Sequence, residues 1–365
     1  MDKQLTTFLN KLKKTHDDDS IDRINYSTSA YLLAGFSLLI MATQYVGNPI
    51  ICFVPAEYPA PWVKYLETYC FIENTYYANI SALPDIQHRE NNELKYYQWI
   101  PYILAFQAVL CYLPKMIFKL FYSFSNTNIN DLIQSQYALS KKAGKQDDLK
   151  GINTTIAKCL VQAKPQYKKI KSEKFLTIVY LLQKVIAIIC LLIQFVIIVL
   201  FIETDDMFWG FRTAYQLIQG KDWRDTGFFP RVTFCDIETR DLGQARKHTI
   251  QCLLNQNIFI EKIYIFIWCY FSFLLVISFL NLLYWVYSTF DYPSKRKMVV
   301  DALKIQENQS EFVGYRNPEK LRSFIKHELG YDGMTVLRLV EANAGYVNMS
   351  NLCATIWESA AKKNQ

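Results

Sequence analysis

Four long apolar runs divide this chain and constrain its fold more than any other feature. They are Ile24–Ala56, Tyr96–Pro114, Phe175–Ile202 and Ile263–Phe290, and Lys184 is the only Asp, Glu, Lys or Arg residue within them. A transmembrane helix needs about 20 predominantly apolar residues to cross a hydrocarbon core roughly 30 Å thick. All four runs meet this requirement, the second only just. The sequence therefore predicts an all-α membrane protein built on a bundle of four transmembrane helices.

The distribution of Lys and Arg orients the four predicted spans. The connection Ser123–Lys174 contains ten lysines and four acidic residues, whereas Gly47–Lys95 contains three basic and six acidic residues. Glu203–Ile260 has a milder bias, with seven basic and eight acidic residues. Because cytoplasmic segments are enriched in Lys and Arg, we expect both termini in the cytosol of a multi-pass plasma-membrane protein. The formal net charge of +7 then reflects this orientation and not nucleic-acid binding.

These observations divide the chain into nine segments. They are a cytoplasmic N-terminal arm (1–22), a first span (23–46), a first extracellular loop (47–95), a second span (96–122), a cytoplasmic loop (123–174), a third span (175–202), a second extracellular loop (203–260), a fourth span (261–290) and a cytoplasmic C-terminal region (291–365). In the last segment, apolar residues recur at helical spacing near Leu321–Leu329 and Val336–Val340, which indicates packed helices. We expect Gly330 and Gly333 to mark the break between two of them.

The cysteines support this topology. Cys52 and Cys70 fall in the first predicted loop, and Cys235 and Cys252 fall in the second. The other five cysteines lie in apolar runs or in cytosolic segments, where thiols stay reduced. Four cysteines outside the cell predict disulfide-linked extracellular loops, but they allow three pairings, and the residues alone do not choose among them.

The N-terminal arm has the pattern of a short amphipathic helix. Its apolar residues Leu5, Phe8, Leu9 and Leu12 recur at helical spacing among lysines. Such a helix either lies on the cytosolic membrane surface, which periodicity alone favours, or folds into the mouth of a pore. Behind it, we expect the acidic run Asp17–Asp19 to form a solvated turn that breaks the helix.

Polar residues inside the spans have two interpretations each. Thr43 and Gln44 at the end of the first span either face water or pack against neighbouring helices. Lys184 near the cytosolic end of the third span is either an interfacial anchor, which we favour, or a charge in a pore.

Motifs for catalysis are missing from the sequence. It contains no glycine-rich nucleotide loop, no His/Cys cluster with metal-ligand spacing and no nucleophile elbow. We therefore expect no enzymatic activity, no cofactor and no metal site. The spans also lack a buried acid or a His pair of the kind that relays protons, which favours a passive pore or a structural protein over a coupled transporter.

The segment Tyr96-Tyr97-Gln98-Trp99, followed by Pro101, resembles the YYQW signature of innexins, the invertebrate gap-junction proteins. Further segments that resemble this family are Gly47–Cys52, Asp222–Gly227, Phe229–Asp236 and Asn257–Lys262, and the similarity extends over about residues 20–345. Connexins have a similar topology but carry three cysteines in each loop, which this chain does not.

The resemblance implies an octameric ring of subunits that docks onto an equivalent ring of a neighbouring cell. Ions and small metabolites would diffuse through the shared pore. It also implies the pairs Cys52–Cys252 and Cys70–Cys235, and it favours the pore-mouth position for the N-terminal arm. The candidate pore lining is then Leu5, Phe8, Leu9, Leu12, Thr43 and Gln44. Membrane lipid is a further expected partner, and nucleic acid is not.

Two alternatives remain open within this interpretation. The first is an undocked hemichannel that releases small molecules, which a glycan at the sequon Asn79-Ile80-Ser81 would favour if the site is used and faces the docking surface. The second is a four-span adhesion or scaffold protein that does not conduct.

Overall fold

The structure is a computed structural model of the chain. It describes residues 18–73, 75–78, 85, 89, 93–123, 133, 137, 151–158, 174–202, 206, 208–220, 229–241, 243–305 and 317–363. The predicted arm residues Leu5, Phe8, Leu9 and Leu12, and the sequon residue Asn79, lie outside this set.

Four helices are long and apolar enough to cross a membrane, as the sequence predicts. They are α1 (Ser20–Tyr45), α3 (Ile100–Ser123), α4 (Phe175–Ile202) and α6 (Gln256–Phe290). The predicted four-span helical class is therefore confirmed. The first helix contains a π-helical turn at Ile24–Thr28. It ends at Tyr45, shortly before Gly47-Asn48-Pro49, and glycine and proline disfavour a continued helix.

The second spanning helix contains two prolines, Pro101 and Pro114. Pro101 lies in the first turn of α3, where its missing N–H group costs no helical hydrogen bond. For Pro114, deeper in the span, the sequence predicts a kink or an end of the helix unless neighbouring groups satisfy the freed carbonyl; because apolar residues resume past Lys115, it also allows a helix that continues to about Phe124. In the structure α3 continues through Pro114 and ends only at Ser123.

The described residues divide into two compact units. The terminal unit comprises the described residues of Met1–Ser29, Cys111–Cys190 and Leu275–Gln365, and the loop unit comprises those of Ala30–Leu110 and Leu191–Leu274. The terminal unit thus contains the segments predicted to be cytosolic, and the loop unit contains the four loop cysteines.

The loop unit contains an antiparallel sheet of five strands, which the sequence analysis did not predict. The strands are β1 (Ile50–Cys52), β2 (Thr75–Tyr76), β3 (Glu93–Leu94), β4 (Val232–Asp241) and β5 (Gln244–Leu254), in the spatial order β1-β5-β4-β2-β3. In the middle of β4, buried Cys235 and Ile237 alternate with exposed Asp236 and Glu238, the period-two pattern of a strand with one covered face. The described residues of the unit also form two short helices, α2 (Ala60–Ile72) and α5 (Trp209–Ile218).

A tight turn joins the two long strands. Asp241 pairs with Gln244, so β4 and β5 form a hairpin, and Gly243 in the turn has φ +86°. Glycine suits this left-handed conformation because it has no Cβ.

In the terminal unit, residues 151–158 are helical, and the C-terminal region adds further helices beside the ends of the spanning helices. They are α7 (Tyr292–Ile305), α8 (Pro318–Ser323), α9 (Gly330–Ala344) and α10 (Tyr346–Lys363), and a π-helical turn at Phe324–Leu329 joins α8 to α9. The periodic apolar residues of the sequence, such as Leu321, Phe324 and Val336, are buried in their shared core.

Two glycines are expected to mark a helix break, and only one of them does so. Gly330 (φ +61°) begins α9, but Gly333 lies inside that helix, so the predicted break at Gly333 is wrong. A second break occurs at Gly345 (φ +88°), between α9 and α10.

Candidate functional site

The cysteines of the two loops meet in the loop unit. Cys52 on β1 lies directly opposite Cys252 on β5 in the strand register, and a disulfide joins them. A second disulfide joins Cys70 on α2 to Cys235 on β4. Both bonds connect the first loop to the second, across sequence separations of 200 and 165 residues. Cross-links that close such long segments strongly restrict the unfolded chain.

These sulfurs are committed to disulfides and not to a metal. The Sγ atoms of Cys52, Cys70 and Cys252 lie within 4.8 Å of one another, a spacing that three thiolates could use to bind a metal ion. Because each of the three is bonded to another sulfur, none is a thiolate.

The Tyr96–Trp99 motif holds the end of α2. The Tyr97 hydroxyl donates a hydrogen bond to the Phe71 carbonyl (3.1 Å), and the Gln98 amide donates to the Phe71 and Ile72 carbonyls (2.7 and 3.1 Å). The last carbonyls of a helix have no partner within the helix, so these side chains cap α2. Burial raises the pKa of Tyr97 to about 12, which keeps its hydroxyl protonated as a donor.

The same motif contacts both neighbouring segments of the loop unit. Asn257, in the first turn of α6, donates one hydrogen bond to the Tyr96 hydroxyl (2.9 Å) and another to the Pro230 carbonyl (2.7 Å). Burial raises the pKa of Tyr96 above its usual range. At the end of α1, the Gln44 amide donates to the Tyr97 carbonyl (2.7 Å). The motif therefore fixes α1, α2 and α6 to one another, a role that the resemblance alone did not indicate.

An open groove of about 870 Å³ lies between α2 and the β4–β5 hairpin. Aromatic side chains line much of it, and three of them are strongly exposed: Phe53 (83%), Trp62 (60%) and Tyr65 (63%). An exposed apolar patch of this kind is typical of a protein–protein contact surface.

A second cluster, in the terminal unit, surrounds the start of α1. We call it the root cluster and define it as Asp18, Asp19, Asp22, Lys115 and Lys184. Asp18 and Lys115 form an ion pair at 2.7 Å, and both side chains are fully buried. The solvated turn expected at Asp17–Asp19 is therefore wrong for Asp18, and Asp17 lies outside the described residues.

The other two carboxylates of the root cluster meet Lys184. Its ammonium lies 2.7 Å from Asp22 and 3.8 Å from Asp19, and Lys184 is only 3% exposed. The interfacial anchor expected for Lys184 is therefore replaced by a buried ion pair. Asp22 also accepts a hydrogen bond from the Tyr180 hydroxyl (2.8 Å), and Asp19 accepts one from the Trp285 indole (3.2 Å).

The root cluster also contacts the C-terminal helices. Asn343 on α9 donates to the Asp18 carbonyl (3.0 Å) and accepts from the Arg23 guanidinium (2.9 Å). The start of α1 is thus connected to α3, α4, α6 and α9 at once. Moving the start of α1 away would separate these buried ion pairs and leave uncompensated charges, which is costly. The contacts therefore hold the start of α1 in place.

The two remaining pore-lining candidates bond within the subunit. Thr43 and Gln44 are half-buried; the Thr43 hydroxyl donates to the Ile40 carbonyl of its own helix (2.8 Å). Within one subunit, Thr43 therefore bonds to its own helix, and Gln44 bonds to the Tyr97 carbonyl.

Comparison with known proteins finds that the chain is similar to members of one family. An innexin family model matches residues 18–360. The chain is 35% identical to Innexin-16 of Caenorhabditis elegans, with 94% of this chain and 89% of that protein covered. It is 33% identical to Innexin-3 (95% and 85% covered) and 30% identical to Innexin unc-9 (94% and 92% covered), both from the same organism.

Proposed function

The chain belongs to the innexin family and is a gap-junction channel subunit, and on this premise we propose how its channel is assembled, oriented and lined. Eight subunits form a ring, and two rings on adjacent cells dock through their loop units. Ions and small metabolites then diffuse from one cytoplasm to the other.

The observation that carries this proposal is the pair of disulfides between the two loops. They fix the loop unit in one conformation before a partner ring arrives, which lowers the entropy that docking has to overcome. The exposed aromatic residues Phe53, Trp62 and Tyr65 give the unit an apolar contact surface beside this constrained sheet.

Single-particle images and paired-cell recordings test the assembly together. We expect eight-fold rings, some of them stacked in pairs, and a conductance between two cells that both express the chain. Pairs in which only one cell expresses it provide the control. Rings of another order would overturn the octamer, and adhesion of paired cells without any conductance would support the non-conducting scaffold instead.

We place both termini in the cytosol because the segments richest in Lys and Arg all fall on one side of the membrane when the chain crosses it four times. An epitope inserted near residue 150 should react with antibody only after cells are permeabilised. An epitope near residue 57, in the first loop, should react on intact cells and serves as the matched control. The reverse pattern would invert the orientation.

The N-terminal arm, with Leu5, Phe8, Leu9 and Leu12, lines the pore mouth, and Thr43 and Gln44 continue the lining along α1. The support is the root cluster, in which buried ion pairs to α3 and α4 hold Asp18 and Asp22 at the end of the arm. Deleting residues 2–14 should change the unitary conductance and permeability of channels that still reach the cell surface. Unchanged permeability at normal surface expression would place the arm away from the pore.

Glycosylation at Asn79 decides between docked and undocked rings in this proposal. A glycan on the docking face blocks the approach of a second ring, so Asn79→Gln should raise the number of conducting cell pairs. Enzymatic deglycosylation of surface protein, with no change of mass, would show that the sequon is unused.

A further inference from the structure

Two buried cations of the terminal unit have no carboxylate partner among the residues that the structure describes. Lys295 on α7 and Arg338 on α9 are each 7% exposed, yet neither takes part in an ion pair there. Lys115 and Lys184, the buried lysines of the root cluster, each have a carboxylate oxygen at 2.7 Å. Burying a charge without a counter-charge is costly, so the contrast calls for an anion beside Lys295 and Arg338.

The contacts of these two cations are neutral. The Lys295 ammonium lies 3.9 Å from the centre of the Tyr331 ring, and the Lys174 ammonium lies 4.4 Å from the same centre. The Arg338 guanidinium donates to the Ser288 carbonyl (3.0 Å), the Ser294 hydroxyl (3.3 Å) and the Tyr284 hydroxyl (3.4 Å), while its buried Nε has no acceptor. Lys174 and Lys295 therefore share the Tyr331 ring, and Arg338, which bonds Ser294 next to Lys295, lies close enough to repel the Lys295 ammonium. We call Lys174, Lys295 and Arg338 the cation cluster.

Among the described residues, no carboxylate forms an ion pair with Lys295 or Arg338, although Glu341, on the same helix as Arg338, attracts the Arg338 guanidinium. Asp332 uses its carboxylate to cap α4, where it accepts hydrogen bonds from the Leu176 and Thr177 amides. Asp291 attracts Lys295, but without forming an ion pair. Burial, followed by repulsion from Arg338 and Lys174, lowers the pKa of Lys295 below its usual range, as expected where positive charge is in excess.

The cluster lies beside the ends of two spanning helices. Lys174 directly precedes Phe175, the first residue of α4, and Lys295 follows shortly after Phe290, the last residue of α6. Near that end, α6 exposes Tyr284 (58%), Tyr287 (63%) and Phe290 (54%). Exposed aromatic rings at the end of a spanning helix mark the depth of the lipid headgroups.

We propose that the cation cluster binds the phosphate group of an anionic phospholipid. Guanidinium and ammonium groups together provide the charge-assisted donors that phosphate oxygens accept. Basic pockets between spanning helices recognise lipid headgroups by the same chemistry. The lipid reaches the cluster from the leaflet that meets these helix ends, which is the cytosolic leaflet in the orientation proposed above. The site itself does not depend on conduction by the channel.

Lipid binding to the purified full-length assembly in phosphatidylcholine nanodiscs tests the proposal. The probe is a short-chain phosphatidylinositol bisphosphate, and free inositol trisphosphate is the second ligand. We expect Lys295→Gln and Lys174→Gln each to weaken binding of the lipid about tenfold, the effect of losing about 1.4 kcal/mol from one charge-assisted contact. Lys304→Gln on the same helix α7 is the matched control, because Lys304 is exposed and should leave the affinity unchanged.

A thermal melt in pure phosphatidylcholine separates binding from a structural role. Removing one of several like charges should leave the melting temperature of Lys295→Gln equal to, or higher than, that of the parent chain. A lower melting temperature together with unchanged lipid affinity would overturn the proposal. Equal affinity for free inositol trisphosphate would assign the phosphate to a soluble ligand and overturn the lipid part. Equal loss of affinity in Lys304→Gln would reduce the effect to non-specific charge.

Discussion

Asp18 shows how much a single residue's environment depends on distant parts of the chain. In the sequence it stands in a run of three acids, and local composition favours a solvated turn. Its partner Lys115 is 97 positions away, and the ion pair forms only when α3 packs against the start of α1. Because the burial of a charge depends on such non-local pairing, no window of sequence around Asp18 could have predicted it.

The buried pair gives a sharp prediction at this residue. Lys115→Met should destabilise the terminal unit by at most about 3–5 kcal/mol, because buried Asp18 loses its nearest counter-charge and keeps only the Arg23 guanidinium, 3.7 Å from its Oδ1 atom. The added variant Asp18→Asn should recover much of the loss. The measurement is a double-mutant cycle of melting temperatures on the detergent-solubilised chain.

The control for this cycle is an exposed pair. Lys304 and Asp301 lie 3.8 Å apart on α7 and are 60% and 43% exposed, so Lys304→Met should change stability by less than about 1 kcal/mol. A Lys115→Met chain as stable as the Lys304→Met chain would contradict the buried pair.

Gly210 is a residue whose small size the packing requires. A Cβ atom there would overlap the indole ring of Trp268 on α6, which is itself buried. We expect Gly210→Ala to destabilise the loop unit by about 1–3 kcal/mol through overpacking. Gly35→Ala is the matched control, because a Cβ at Gly35 meets no atom within 4 Å. Similar melting temperatures for the two variants would refute this close contact.

At the scale of elements, the four spans were predictable and the sheet was not predicted, although it left a signal. Long uncharged runs identify a spanning helix without any partner, since length and apolarity alone satisfy the membrane. Three of the strands have only two or three residues, and β1 and β2 pair with strands far away in the chain, whereas β4 and β5 form a local hairpin. The alternation from Cys235 to Glu238, with β-branched neighbours in β4, is the pattern from which β4 could have been found.

The capping of α2 by the Tyr96–Trp99 motif predicts an effect on that helix. Gln98→Leu removes the amide that donates to the Phe71 and Ile72 carbonyls, and we expect a loss of about 1 kcal/mol. The loss should appear as a lower melting temperature and as faster amide exchange at the end of α2. Gln219→Leu, on an exposed residue after α5, is the control, and an equal loss there would mean that the cap contributes nothing.

At the scale of the whole molecule, the disulfide pairing decides how the loops are organised. The residues left three pairings open, and only the resemblance favoured Cys52–Cys252 with Cys70–Cys235, the bonds that the structure contains. Pairing geometry depends on the sheet register, which brings Cys52 opposite Cys252. A fold that depends on such long-range register is beyond what composition and spacing specify.

Peptide mapping without reduction should recover Cys52 linked to Cys252 and Cys70 linked to Cys235. The double variant Cys52→Ala/Cys252→Ala should lose about 2–5 kcal/mol of stability, because the unfolded chain regains its freedom. Cys269→Ala provides the control, since Cys269 is a free thiol. Linked peptides from within a single loop would contradict the pairing.

The separation of 200 residues between Cys52 and Cys252 has a consequence for biosynthesis. Ribosomes add about 5–20 residues per second, so in the orientation proposed above the first thiol waits about 10–40 s in the oxidising lumen before its partner is made. During that interval it is exposed to oxidoreductases and to incorrect partners such as Cys70. Quality control in the endoplasmic reticulum therefore has a natural checkpoint: a subunit whose second loop has not yet emerged still carries a reactive sulfur by which chaperones can retain it.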